Sequence, residues 1–195
     1  MKTQAIDPER FRMIVNAART SFDAFGYKGT TMDQIAKRAD VSKGSVYNEF
    51  KNKEELFMFI LQQMIEEMDR VAEKATIPGL SPEENLQNVL FEMLQFRNDH
   101  HLILKLVQEV KEVGTKKAEE GLSFLEEQTV SLIQKRVERL LEQNLIKPCD
   151  TKLTAFIMFK MYTALVSDWE ERREPLSRDE IAASFRLYML DGLKK

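Results

Sequence analysis

At 195 residues, with 43% apolar and 31% charged residues, the chain has the balance of a globular protein with room for one or two domains. That balance excludes a disordered polymer. No apolar run approaches the roughly 18 residues of a membrane span. The opening MKTQAIDPERFRM also lacks the apolar stretch of a secretory leader. A cytoplasmic protein with no membrane partner is therefore expected. The single Cys149 fits a reducing compartment and excludes an intrachain disulfide. The net charge of −3 divides unevenly: residues 1–53 hold 10 Lys/Arg against 6 Asp/Glu, whereas 54–195 hold 19 against 26. An electropositive head on an acidic body suits local phosphate binding, because attraction is felt only within about 10 Å in salt.

Helical periodicity runs from end to end, with no strand alternation. A first helix is expected over about Pro8 to Phe25, its apolar face Phe11, Ile14, Val15, Ala18, Phe22 and Phe25. Pro8 suits its first turn and Gly26 the position past its end. Residues 1–7 read as a flexible arm. Thr31 with Gln34 has capping-box spacing for a second helix, carrying Ile35, Ala36 and Ala39 and stopping at Asp40-Val41. Ser42 caps a third, to about Asn48 or Phe50. Asn52 with Glu55 starts a fourth, to about Ala75, its buried face Leu56, Phe57, Ile60, Met64, Met68 and Val71.

The break Thr76–Pro82 precedes a fifth helix, with cap Ser81, first-turn Pro82 and capping acid Glu84, to about Arg97. A short sixth ends before Gly114, and a long seventh ends at Asn144. The last two span about 151–172 and 178–193, the latter opened by Ser177 with Glu180. The expected fold is all-α with about nine helices: a three-helix head at 8–53 and a larger helical body at 54–195.

The stretch from Gly26 to Phe57 holds two short helices joined by a tight turn, with the small Ala36 where they cross, the arrangement of a helix-turn-helix. Val41 would plug the turn into the core. Ile35, Val46, the Tyr47 ring and Phe50 would close that core against Phe22 and Phe25. Ser42, Lys43, Gly44, Ser45 and Asn48 are then left outward, short or flexible enough to approach base edges and phosphates. Lys51 and Lys53 sit at the next helix start, where backbone N–H groups and ammonium charge together hold phosphate.

This segment resembles the DNA-binding domain of the tetracycline-repressor (TetR) family of bacterial regulators. The matching residues are Gly26-Tyr27, Thr30-Thr31, Ile35-Ala36, Ala39, Val41-Ser42, Lys43-Gly44, Tyr47, Phe50, Lys53 and Leu56-Phe57. The rest of the chain is similar only in layout. The resemblance implies that Thr31, Lys43, Gly44, Ser45, Tyr47, Asn48 and Lys53 face DNA. Asp40 departs from the family's usual Gly in the turn, although Asp tolerates left-handed geometry better than most residues. Glu49 stands where a His often touches the backbone, and a carboxylate cannot donate to phosphate.

The body is rich in adaptable apolar side chains. The resemblance implies a ligand cavity there for a small apolar or aromatic effector (a lipid, an acyl derivative or a drug). Candidate lining residues are Met68, Phe91, Met93, Leu94, His101, Leu104, Phe124, Phe159 and Tyr162, although most could equally be ordinary core. His100-His101 are adjacent, with no Cys nearby and no helical His pair at the needed spacing, so no metal is expected. They could instead cap the turn after Asp99 or line a pocket mouth. No cofactor and no catalytic residue is expected: there is no nucleophile elbow, phosphate-binding Gly loop or acid/base pair.

The final two helices offer Leu153, Phe156, Ile157, Lys160, Leu165 and Trp169 on one side and Ile181, Phe185, Tyr188 and Leu193 on the other. Paired with a second copy they would form a four-helix bundle, or the stripes pack only inward. The expected function is that of a homodimeric repressor, released from a palindromic operator in double-stranded DNA when the effector binds. The alternatives are a DNA-binding regulator without an effector and, from a different class, a helical enzyme or lipid carrier.

Overall fold

The computed structural model describes residues 7–193. The expected N-terminal arm, apart from Asp7, lies outside them. Among the described residues there are nine helices and no strand, counting the π-helical stretches and a final single turn as continuations. In chain order they are α1 (Pro8–Gly29), α2 (Met32–Arg38), α3 (Lys43–Glu49), α4 (Lys53–Ala75), α5 (Pro82–Asp99), α6 (Leu102–Val113) and α7 (Lys116–Glu142). There follow α8 (Thr151–Thr163), continued by a π-helical Ala164–Asp168, and α9 (Arg178–Phe185), continued by a π-helical Arg186–Leu190 and a turn at Asp191–Leu193. None of the described helices is long and apolar enough to cross a membrane.

The helix starts follow from short-range hydrogen bonding. Asp7 accepts from the N–H groups of Glu9 and Arg10 ahead of Pro8. Thr31–Gln34, Ser81–Glu84 and Ser177–Glu180 each form reciprocal capping boxes. Ser42 and Asp150 cap α3 and α8, and Asn52 accepts the Glu55 N–H at 2.8 Å. Each such cap is worth about 1 kcal/mol. α6 starts differently. His101 occupies its cap position without a side-chain bond, and Asp23 of α1 accepts the Leu102 N–H instead. The His101 side chain therefore does not cap that turn. Burial pushes the Asp23 carboxyl above its usual range, against the pull of Arg19, His100 and His101.

The described residues form two compact units, one of residues 7–66 with 97–125, the other of 67–96 with 126–193. This division differs from a boundary at residue 53: α6 and the start of α7 pack with the DNA-binding-type head. The first unit's core is fully buried Ile14, Ala18, Phe22, Ile35, Val46, Leu56, Phe57, Ile60, Leu61, Met64, Leu102 and Leu106. Its rings interlock, Phe22 meeting Phe57 edge-on at 5.2 Å and Phe11 stacking on Phe50 at 5.6 Å. Burying each such side chain contributes about 1.5–3 kcal/mol. Gly121 lets α7 approach α4, since a Cβ there would stand 2.9 Å from the Phe57 ring.

Two residues expected in this core lie outside it: Phe25 is 52% exposed and Tyr47 42%. Periodicity sets Phe25 in line with Ile14 and Phe22, but it is the last residue before the break at Gly26, where the helix outruns the core. Val46, with Phe50 just past the helix end, closes the α3 side.

In the second unit Leu90, Leu94, Val166, Ile181 and Phe185 form the core, with Met161, Tyr162 and Leu165 among the residues packed against it. Ile181 and Phe185 therefore face inward and are not available to a second copy. Leu153, Phe156, Ile157, Leu187 and Tyr188 remain exposed.

Candidate nucleic-acid interface

The turn between α2 and α3 is built as the pattern requires. Ala39 ends α2, Asp40 takes φ of +52°, and the Val41 N–H returns to the Ala36 carbonyl at 3.1 Å. A left-handed residue is needed here, and Asp is among the few with a side chain that adopt it readily. Val41 is half-buried. Ser42 then caps α3, a seven-residue rod in which Val46 is the one buried residue.

The outward side of α3 carries Lys43, Gly44, Tyr47 and Asn48, all exposed, with Ser45 half-buried. Thr31, Ser42 and Lys51 are exposed around it. Thr31 and Ser42 are engaged in caps, and the Ser45 hydroxyl lies 2.9 Å from that of Ser42. Lys43 pairs with Asp33 at 2.7 Å, which holds its ammonium above the usual lysine range, and sits 5.9 Å from the Tyr47 ring centre. With both partners well exposed, such a pair is worth little, so a phosphate can displace Asp33 readily. Gly44 has no internal reason to be glycine. A Cβ there would meet only the Ser42 hydroxyl, at an ordinary 3.8 Å.

Lys53 departs from its expected role as a phosphate contact. Its Nζ donates to the carbonyls of Tyr27 at 2.8 Å and Thr30 at 2.9 Å and lies 4.1 Å from the Tyr27 ring centre. Burial pulls the ammonium below its usual value, partly offset by Glu109. The residue clamps the head from inside. Lys51 stays at the surface, its N–H donated to Glu55 at 2.8 Å.

Sequence reasoning missed the partner of this clamp. Glu109 of α6 is 8% exposed, and both carboxylate oxygens accept the Lys28 N–H at 3.1 Å. The signal was a carboxylate on an otherwise apolar stripe, Leu102, Leu106, Glu109, at helical spacing. Gly26 makes the approach possible with φ of +68° and ψ of −171°, a region open in practice to glycine only. A Cβ there would stand 2.5 Å from the Glu109 carboxylate.

The expected effector residues do not gather in one unit. Leu104, 40% exposed, His101, exposed, and Phe124 belong to the first. Met68, Phe91, Met93, Leu94, Phe159 and Tyr162 belong to the second. Leu94 is part of that unit's core, and the Tyr162 hydroxyl donates to the Met93 carbonyl at 3.2 Å. A groove of about 200 Å³, lined by residues such as Leu86, Leu90, Ala182 and Arg186 of α5 and α9, contains none of the expected set.

Comparison with known proteins agrees with the fold and the head. Residues 14–58 match the model of the bacterial regulatory proteins of the tetR family. The chain is 44% identical over 185 residues to the uncharacterized HTH-type transcriptional regulator YhgD of Bacillus subtilis (strain 168), covering 95% of this chain and 97% of that one. Among solved structures it resembles the regulator FadR from Bacillus subtilis in complex with stearoyl-CoA. That match has 18% identity and a TM-score of 0.69, over 89% of this chain and 94% of that one. The fatty acid degradation regulator FadR from Bacillus halodurans is also similar, with 18% identity and a TM-score of 0.69 over 94% and 95%. These two likenesses show the fold; the near full-length relative and the pattern at 14–58 show more, and the chain belongs to the tetR family of bacterial regulatory proteins.

Proposed function

We propose that the protein is a cytoplasmic transcription regulator, a repressor that binds a palindromic operator in double-stranded DNA as a homodimer. The observation that carries the DNA half is α3: a short capped rod, buried through Val46 only, presenting Lys43, Gly44, Tyr47 and Asn48 outward. Helices of this size enter a major groove, and short side chains near the N-terminus let the backbone approach base edges and phosphates. Lys43 and Lys51 supply the charge for phosphate.

Gly44 gives the direct test. Glycine in a helix costs up to about 1 kcal/mol relative to alanine, and here the fold has space for the methyl group. Gly44→Ala is therefore expected to keep or slightly raise thermal stability while weakening operator binding about tenfold or more, the loss of one good base contact. Operator affinity unchanged in Gly44→Ala would contradict the assigned face.

The second copy is taken by α8 and α9. Leu153, Phe156 and Ile157 on α8 and Leu187 and Tyr188 on the π-helical end of α9 remain exposed in the single chain. A C2 pairing of these helices buries them and gives the assembly two α3 rods, the number that the two half-sites of a palindrome need.

For the effector, the support is the relative with stearoyl-CoA and the half-buried Met68, Phe91, Met93 and Phe159 of the second unit. α4 begins in the head and ends in the second unit, carrying Met68 there, so a ligand that moves its far end would act on the head. A coupling of about 1–3 kcal/mol would weaken operator binding 5–150-fold. The reading without an effector has its own observation. Leu94 is in the core with Tyr162 packed against it, and the groove of about 200 Å³ is smaller than the roughly 300–1,000 Å³ of ligand pockets.

A further inference from the structure

The last turn of α1, Tyr27 to Gly29, is gripped from two sides by charges that arrive from distant parts of the chain. Glu109 of α6 accepts the Lys28 N–H through both oxygens at 3.1 Å. Lys53 of α4 donates to the Tyr27 and Thr30 carbonyls at 2.8 and 2.9 Å. An anion beside N–H groups and a cation beside carbonyls both follow the direction of the peptide dipoles, so each favours the turn. Nothing but hydrogen fits between Gly26 and the carboxylate.

This turn leads straight into the DNA-reading helices. The Thr30 hydroxyl donates to the Ser21 and Gly26 carbonyls at 3.0 and 2.8 Å, and Thr31 caps α2, which carries α3. Desolvation offsets most of what a buried carboxylate gains from its hydrogen bonds. Its distinctive effect is geometric, since only one placement satisfies it.

The geometry points to Glu109 as a positioning residue that registers α6 against the head and thereby sets where α3 stands. A displacement of α6 along its axis withdraws the carboxylate from the Lys28 N–H and lets the head shift as a body relative to α6. The inference rests on the DNA-binding reading above.

The test uses the full-length chain, Glu109→Gln and Glu109→Ala, titrated against two duplexes: a palindrome recovered by selection, and the same duplex with one half-site scrambled. The palindrome needs both heads correctly placed; the single half-site needs only one. In Glu109→Ala the preference for the palindrome is expected to fall about tenfold, with half-site affinity as in the wild type. Glu109→Gln keeps one carbonyl acceptor and falls less. If Glu109→Ala does not fold, a fall of about threefold in the isosteric Gln variant supports the same conclusion. Parallel loss on both duplexes, as a general loosening of the head would give, overturns the inference, and so does an unchanged preference. Wild-type protein that binds neither duplex would overturn the DNA-binding reading itself.

Discussion

Gly26→Ala is expected to lower the stability of the first unit by about 3 kcal/mol or more. Two costs add. Holding a residue with a side chain at φ of +68° and ψ of −171° costs about 1–3 kcal/mol. The new methyl group would also stand 2.5 Å from the Glu109 carboxylate, which must retreat. It then leaves the Lys28 N–H without its charged acceptor, a loss of about 1.5–3 kcal/mol. Chemical unfolding followed by circular dichroism measures the sum, and a Gly26→Ala chain as stable as the wild type would show that the turn can be rebuilt without the clamp. The contrast with Gly44, where the same substitution meets open space, separates a glycine required by the fold from one available to a partner.

A charge on the exposed face of α8 should abolish tight operator binding without touching α3. Ile157 is 43% exposed in the single chain, so Ile157→Glu leaves the subunit's own packing intact. In a dimer paired through α8 the carboxylate would be buried without a partner. A monomer engages one half-site at a time and loses the gain from tethering two heads, about 10²–10⁴ in affinity. Sedimentation should show a monomer with native helix content, and the titration an operator affinity about 100-fold weaker or worse. A variant that stays dimeric would move the pairing surface away from α8.

Much of this molecule is legible in sequence because much of it is locally determined. The capping boxes at Thr31, Ser81 and Ser177 need only residues three apart, and each forms as their spacing predicts. Asp40 in the turn is likewise local, its left-handed conformation set by the fold and tolerated by its side chain. Lys53 is different. Its charge and position at a helix start suggest phosphate, yet its fate is decided by two carbonyls more than twenty residues away. Glu109 reaches across eighty-one residues to Lys28, a pairing that no window on the sequence contains.

The π-helical stretches at Ala164–Asp168 and Arg186–Leu190 also lack a local signature. They re-aim the side chains they carry: Tyr188, three residues after buried Phe185 and grouped with it by 3.6-residue periodicity, is 72% exposed. The residues expected to line an effector site are the least legible. Met and Phe at helical spacing describe a core and a ligand pocket equally well, and Leu94 went to the core.

The account depends first on α3 reading duplex DNA in pairs. Selection of bound fragments from a random duplex library by the wild-type chain, at low salt, tests it most directly. Enrichment of a palindrome whose half-site centres lie about 10–10.5 base pairs apart, or a multiple of that spacing, is the predicted result. A bound pool no different from the input library would contradict it.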